Sequence, residues 1–276
     1  MAKKTRARAS LLPGGISVPD GPEIIGRVLA RTRADVDAAK VARAEENRAR
    51  TLAGKKPKAA VKESLSFAIY FARYMSAELA AALVALDADF DGVRHGENVS
   101  QAVRGPKRVD INYSTPQAGL GLAISLKSVH FGEKESGSAH FTHNMKRNDE
   151  ELRVEATEHH LRQPYAVLVA VVFLPFESCT DFDTSSFGSW VEYLWSLKGR
   201  FATDDPPDLF ELVFVALYAR DGTELHFYEV GGTVECPRTG RPKAFLSPLE
   251  FLKRIKAVYD RRNGKDFFFE GERPAG

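Results

Sequence analysis

The sequence predicts an α/β fold, a mixed β-sheet flanked by helices and preceded by a basic helical arm. Three observations point there. Predicted elements run helix, two strands, helix, strand, helix, two strands, helix, an alternation that calls for helices packed on both faces of a sheet. The run Ala166 to Pro175 (AVLVAVVFLP) is almost wholly apolar, as a central strand covered on both sides would be. Residues 63–87 carry aromatics at 67, 70, 71 and 74 and leucines at 65, 79, 83 and 86, giving a helix apolar on most of its circumference.

The elements follow in order. Residues 1–20 hold Gly14-Gly15, two prolines and clustered Lys and Arg, which argues for a disordered tail. From Pro22 to about Leu52 alanine and arginine dominate, and Ile25, Val28, Val36 and Val41 look too sparse for a core face, so a solvated helix or helix pair is expected. Gly54 to Lys58 (GKKPK) reads as a linker, which sets the divisions at 1–60 for the arm, 61–265 for the folded domain and 266–276 for a tail. A turn at 91–96 leads to a strand at Arg108–Tyr113, a turn at Pro116–Gly119 and a strand at Leu120–Val129. A polar loop at 132–138 and a charged helix over 144–162 come next. After the apolar strand, a helix is expected at Ser186–Lys198 and a hairpin at 209–218 and 223–230, turning on Asp221-Gly222. The last helix starts with Ser247 as cap and Pro248 in the first turn.

At 276 residues, 43% hydrophobic and 28% charged, the chain has the composition of a soluble globular protein. No run reaches the roughly 18 unbroken apolar residues of a membrane span, and no apolar stretch follows the basic start, so no membrane association and a cytoplasmic location are expected. Cys179 and Cys236 lack zinc-site spacing and read as reduced structural thiols. The net charge of +2 hides an asymmetry. Residues 1–60 carry 14 Lys and Arg against 6 Asp and Glu, whereas the remainder carries 25 against 31. Such a basic segment can bind phosphates by counterion release, or serve as a solubilising or docking arm.

The chemistry concentrates in KRVDINY (107–113) and, fifteen residues after its aspartate, in Ile124-Ser125-Leu126-Lys127. Strand alternation places Arg108, Asp110 and Asn112 on one face, and Ser125 with Lys127 on one face, so pairing the strands converges Asp110, Ser125 and Lys127. Hard oxygen ligands beside a lysine suit a Mg²⁺ site that acts on phosphate. The plain alternative is a cross-strand ion pair worth well under about 1 kcal/mol. Two histidines at 140 and 143 near Glu133 and Glu135 lack zinc-site regularity.

Across about residues 90–178, KRVDINY, GLGLAISLKS, the charged helix and RQPYAVLVAVVFLP together resemble the restriction-endonuclease-like, or PD-(D/E)xK, nuclease superfamily. The resemblance implies Asp110 as metal ligand and Lys127 as the catalytic lysine, with Ser125 standing where the second acid belongs. Some members draw that carboxylate from a helix, and the candidates are Glu78, alone in an apolar helix, Glu97, and Glu155, which shares a helix face with Glu151. Asn144, Lys146, Arg147, Arg162 and Gln163 supply donors suited to a nucleic-acid backbone. The implied activity is Mg²⁺-dependent hydrolysis of DNA, with Mn²⁺ an alternative, in a restriction or anti-phage setting with partner subunits or as a homodimer. A competing expectation is a catalytically silent nucleic-acid-binding or assembly subunit.

Overall fold

A computed structural model describes residues 17–102, 105–115, 119–135 and 138–263, with side chains at 97–108 and 133–138 outside the described set. The elements are α1 (Gly21–Leu52), α2 (Glu63–Leu86), β1 (Arg94–Ala102), β2 (Gly105–Thr115), β3 (Gly119–Ser128), β4 (Glu133–Glu135), β5 (Ser138–His140), α3 (Met145–His160), β6 (Val167–Pro175), α4 (Ser186–Leu194), β7 (Leu212–Tyr218), β8 (Leu225–Glu229) and α5 (Pro248–Asn263). Six strands form one sheet in the order β1-β2-β3-β6-β7-β8, while β4 and β5 make a separate small hairpin in the segment expected as a loop. Within the large sheet β3-β6 and β6-β7 are parallel and the other three pairs antiparallel. The expected α/β class, a mixed sheet flanked by helices, is the observed one.

Two apolar layers clasp the sheet. Ile111, Ile124, Leu126, Val169, Val171 and Phe214 face α1, α2 and α5. Ala123, Leu168, Ala170, Val172, Val213 and Val215 face α3 and α4. Every residue of β6 and β7 is buried, which follows from their central place among parallel neighbours. At the starting ends of these strands Glu211 accepts the Leu168 amide at 2.8 Å and lies against Arg200 and Arg262 at 3.4 and 3.0 Å, a buried carboxylate with two cations.

The N-terminal region departs from expectation. Asp20 and Glu23 form a reciprocal capping box with Pro22 in the first turn, and α1 runs unbroken for 32 residues. Its first half is core: Ile24, Ile25, Val28, Leu29 and Val36 are buried against α2 and β8. The apolar seam is narrow because α2, apolar nearly all round, supplies most of the shared surface. Gly21 is needed there, since a Cβ would come within 2.6 Å of the Leu225 carbonyl oxygen. The expected boundary near residue 61 thus falls between two helices of one core, and only the later turns of α1 are largely exposed as an arm would be. The expected tail at 266–276 lies outside the described residues.

By length and composition α2 would suffice to cross a membrane, a property the sequence reading did not grant it. Here Phe67, Phe71, Met75, Leu79 and Leu83 of α2 are buried in the core. Helix α5 begins as expected, with the Ser247 amide donating to Glu250 at 2.7 Å and the Glu250 amide donating back to the Ser247 hydroxyl at 3.3 Å.

Candidate functional site

The site is built where the sheet opens. Pairing of β2 with β3 runs from Thr115 opposite Gly119 to Ile111 opposite Ile124, and stops short of Asp110. On the other side, β1 pairs His95 with Ile111 and Asn98 with Val109, so Gly96 and Glu97 bulge out opposite Asp110. Gly96 has φ +82°, the left-handed conformation that bulges commonly assign to glycine. The alternation of β2 turns over at this point: Ile111 belongs to the α2 layer and Val109 to the α3 layer. With the backbone ladder ended, the Asp110 carboxylate takes its place and accepts the Leu126 amide at 2.7 Å.

Ser125 and Lys127 share the face of β3 that carries Ala123, toward α3, where Leu152 and Ala156 pack. One turn of α3 brings Glu151 and Glu155 onto them. Ser125 donates its hydroxyl hydrogen to one Glu155 carboxylate oxygen at 2.6 Å, and the Lys127 ammonium donates to the other at 2.8 Å and lies 3.4 Å from Glu151. Burial lowers the affinity of Lys127 for its proton, but the charge and hydrogen bond of Glu155, with Glu151 and Asp110, outweigh it and hold the ammonium above its ordinary value. Lys127 is therefore a fixed cation rather than a ready base. Glu151 has a second partner, Arg147, at 2.8 Å; burial works against its charged form, yet Arg147 and Lys127 hold its carboxyl below the usual range.

These groups line a cleft of about 720 Å³. Its floor is Asp110, Leu126 and Lys127; α2 supplies one wall through Ile69, Ala72 and Arg73, and α3 the other through Asn148 and Glu155. A larger groove of about 910 Å³ lies between α4 and residues 232–238, but it pairs no acid with a lysine.

Of the residues expected from sequence, Asp110, Ser125, Lys127 and Glu155 come together. Glu78 does not. Nine residues separate it from Ile69 on α2, two and a half turns, so it projects from the opposite side of the helix. There Arg27 of α1 grips its carboxylate with bonds of 2.7 and 3.1 Å. The Glu97 side chain lies outside the described set, although its backbone forms the bulge. Asn144, Lys146 and Arg147 gather at the starting end of α3, with Asn144 in the left-handed conformation at φ 61° that asparagine tolerates. Lys146 and Arg147 are turned to Glu150 and Glu151 one helical turn on. Arg162 and Gln163 are displaced from the site. They follow the far end of α3, roughly 10 Å along the axis beyond Glu155. Gln163 stands over Gly119 at the start of β3, eight residues and roughly 25 Å from Lys127.

The sequence reading passed over Arg73. Its signal was a charge in the same apolar helix that had drawn attention to Glu78. Among the described residues no three His, Cys, Asp or Glu side chains converge as a metal cluster. Asp110, Glu155 and the Ser125 hydroxyl are nonetheless hard oxygen donors, and one or two carboxylates completed by water and substrate oxygens are what Mg²⁺ commonly takes. The donor set fits that ion.

No family model and no curated protein matches the chain. Among solved structures, Pyrococcus furiosus SfsA in complex with Ca²⁺ is found at 13% identity and a TM-score of 0.25, covering 55% of this chain and 62% of that one. The chain thus spans about three fifths of the length of SfsA, and so loose a superposition leaves the chemistry to be read from this chain's own residues.

Proposed function

We propose that the chain is a Mg²⁺-dependent nuclease of the PD-(D/E)xK kind that hydrolyses DNA phosphodiester bonds, with its second carboxylate moved from strand to helix. The observation that carries this is the bonding of Ser125 and Lys127 to Glu155 in the cleft that opens at Asp110. Asp110 and Glu155 would hold the ion, which when bound supplies Lewis-acid stabilisation of the phosphate and a more acidic water. Ser125 orients Glu155 through its hydroxyl. Lys127, held charged, would face the phosphate and stabilise the negative charge that grows on it. A restriction or anti-phage setting follows from the sequence resemblance. Cutting both strands of a duplex with one such site per chain would call for a symmetric dimer.

Purified protein with supercoiled plasmid and Mg²⁺ should nick, and EDTA should stop it. Asp110→Ala should abolish nicking, and Glu155→Gln should lower it by two orders of magnitude or more. Lys127→Arg should keep a measurable rate and Lys127→Gln should not. Nicking by Asp110→Ala at the parent rate would exclude this site as its source.

A second reading has its own observation: both Glu155 oxygens already have internal donors, and Ser125 is neutral where an acid is expected. A silent nucleic-acid-binding module would bind DNA but leave plasmid intact in Mg²⁺ and in Mn²⁺ alike.

A further inference from the structure

We infer that Arg73 and Asn148 form a phosphate clamp across the cleft, Arg73 from the α2 wall and Asn148 from the α3 wall. This rests on the nuclease reading of the site and adds residues that neither the motif nor its resemblance names.

The cations near the cleft are mostly committed to carboxylates. Lys127 is on Glu155, Arg147 on Glu151 and Lys146 near Glu150, at 2.8, 2.8 and 3.8 Å. Arg73 differs. It is exposed, it lines the cleft with Asp110 and Lys127, and among the described residues no carboxylate or carbonyl engages its guanidinium, which lies 6.0 Å from the centre of the Tyr74 ring. An exposed arginine whose donors are open in the same cleft as two carboxylates and a lysine is suited to an anion with several acceptor oxygens. Its own α2 surface offers no competitor, being Ala68, Ile69, Ala72 and Ser76 along the cleft. Opposite, Asn148 lies in the first turn of α3, half-buried in the same cleft, with its amide unengaged among the described residues. The start of a helix adds partial positive charge to that wall. Cation on one side and amide on the other, flanking the Asp110–Lys127 floor, suit a phosphodiester backbone whose anionic oxygens accept from donors on both walls.

The test separates binding from cleavage. Full-length protein would be titrated against a fluorescent single-stranded oligonucleotide and a duplex of the same sequence, in EDTA, over a series of salt concentrations. Arg73→Ala should weaken binding about tenfold at 0.1 M salt and reduce the slope of log affinity against log salt by about one, the signature of one lost phosphate contact. Arg73→Lys should restore the slope, and Asn148→Ala should weaken affinity without changing it. Lys253→Ala, on the exposed face of α5, should alter neither. Identical affinity and slope for Arg73→Ala and the parent overturn the clamp, as does failure of the parent to bind either DNA. If the parent binds through Arg73 yet never nicks, the clamp stands and the nuclease reading falls; if it nicks while Arg73→Ala binds unchanged, only the clamp falls.

Discussion

Ser125 and Glu155 are bonded across 2.6 Å, so the strand residue that replaces an acid holds the helical acid that can take over its work. If the carboxylate has migrated, its position should be interchangeable. Glu155→Gln should lower nicking by two orders of magnitude or more, and the double variant Ser125→Asp with Glu155→Gln should recover part of that loss by returning the acid to the strand. Ser125→Ala, which removes only the orienting bond, should cost roughly 10-fold. Initial nicking rates across a Mg²⁺ titration read all three, and no recovery in the double variant would refute the relocation.

Asp110 does two jobs, and two substitutions part them. Asp110→Asn keeps an oxygen for the Leu126 amide and should change stability by under about 1 kcal/mol, whereas Asp110→Ala strands that amide and should cost about 1–3 kcal/mol. Both should lose cleavage. Urea unfolding beside the nicking assay shows whether activity is lost with stability held.

His130 should make the fold acid-sensitive. Its ring is buried against Phe67 and Phe71 and hydrogen-bonds the Tyr218 hydroxyl at 2.8 Å, while Arg220 donates to its carbonyl. Burial, with the Arg220 charge added, pulls its pKa from 6.5 down to about 3. The unfolded chain therefore binds a proton that the folded chain refuses, so this contribution is intact above pH 6.5 and drains away as pH falls toward 3. Unfolding midpoints in urea should drop across that window, and His130→Gln should flatten the dependence; an unchanged profile in the variant would assign the acid loss elsewhere.

Glu78 and Arg27 fasten α2 to α1, with Arg27 partly exposed. Glu78→Gln should lower stability by about 1 kcal/mol or less and leave Mg²⁺ dependence and nicking as in the parent. A raised Mg²⁺ requirement in this variant would return Glu78 to the site.

What the sequence made legible follows from burial. Helix α2, the wholly buried β6, the hairpin of β7 and β8 and the capped α5 were plain because their patterns are strong: unbroken apolar runs, Asp-Gly at a turn, Ser-Pro at a helix start. Strand β1 (RHGENVSQA) is not legible, its first three residues falling in the expected turn at 91–96 and the rest in no expected element, because it is a polar edge strand broken by a bulge, so no alternation survives. Helix α1 was read as solvated because a seam of five apolar residues in 32 suffices when the partner helix is apolar. Within the site, strand period alone aligned Ser125 with Lys127. The choice among glutamates was different in kind. It depends on which face of a helix meets the sheet, and for Glu78 a lone charge in an apolar helix marked a contact with α1 instead of a ligand. Arg73 was hidden by the same ambiguity.

The parting of β2 and β3 has a consequence for observation. Because the Leu126 amide is tied to the sheet through the Asp110 side chain instead of a neighbouring carbonyl, whatever draws charge from that carboxylate, whether a proton or a cation, changes the acceptor of one identifiable N–H. The exchange rate or chemical shift of that single amide becomes a gauge, wired into the backbone, of what occupies the acid.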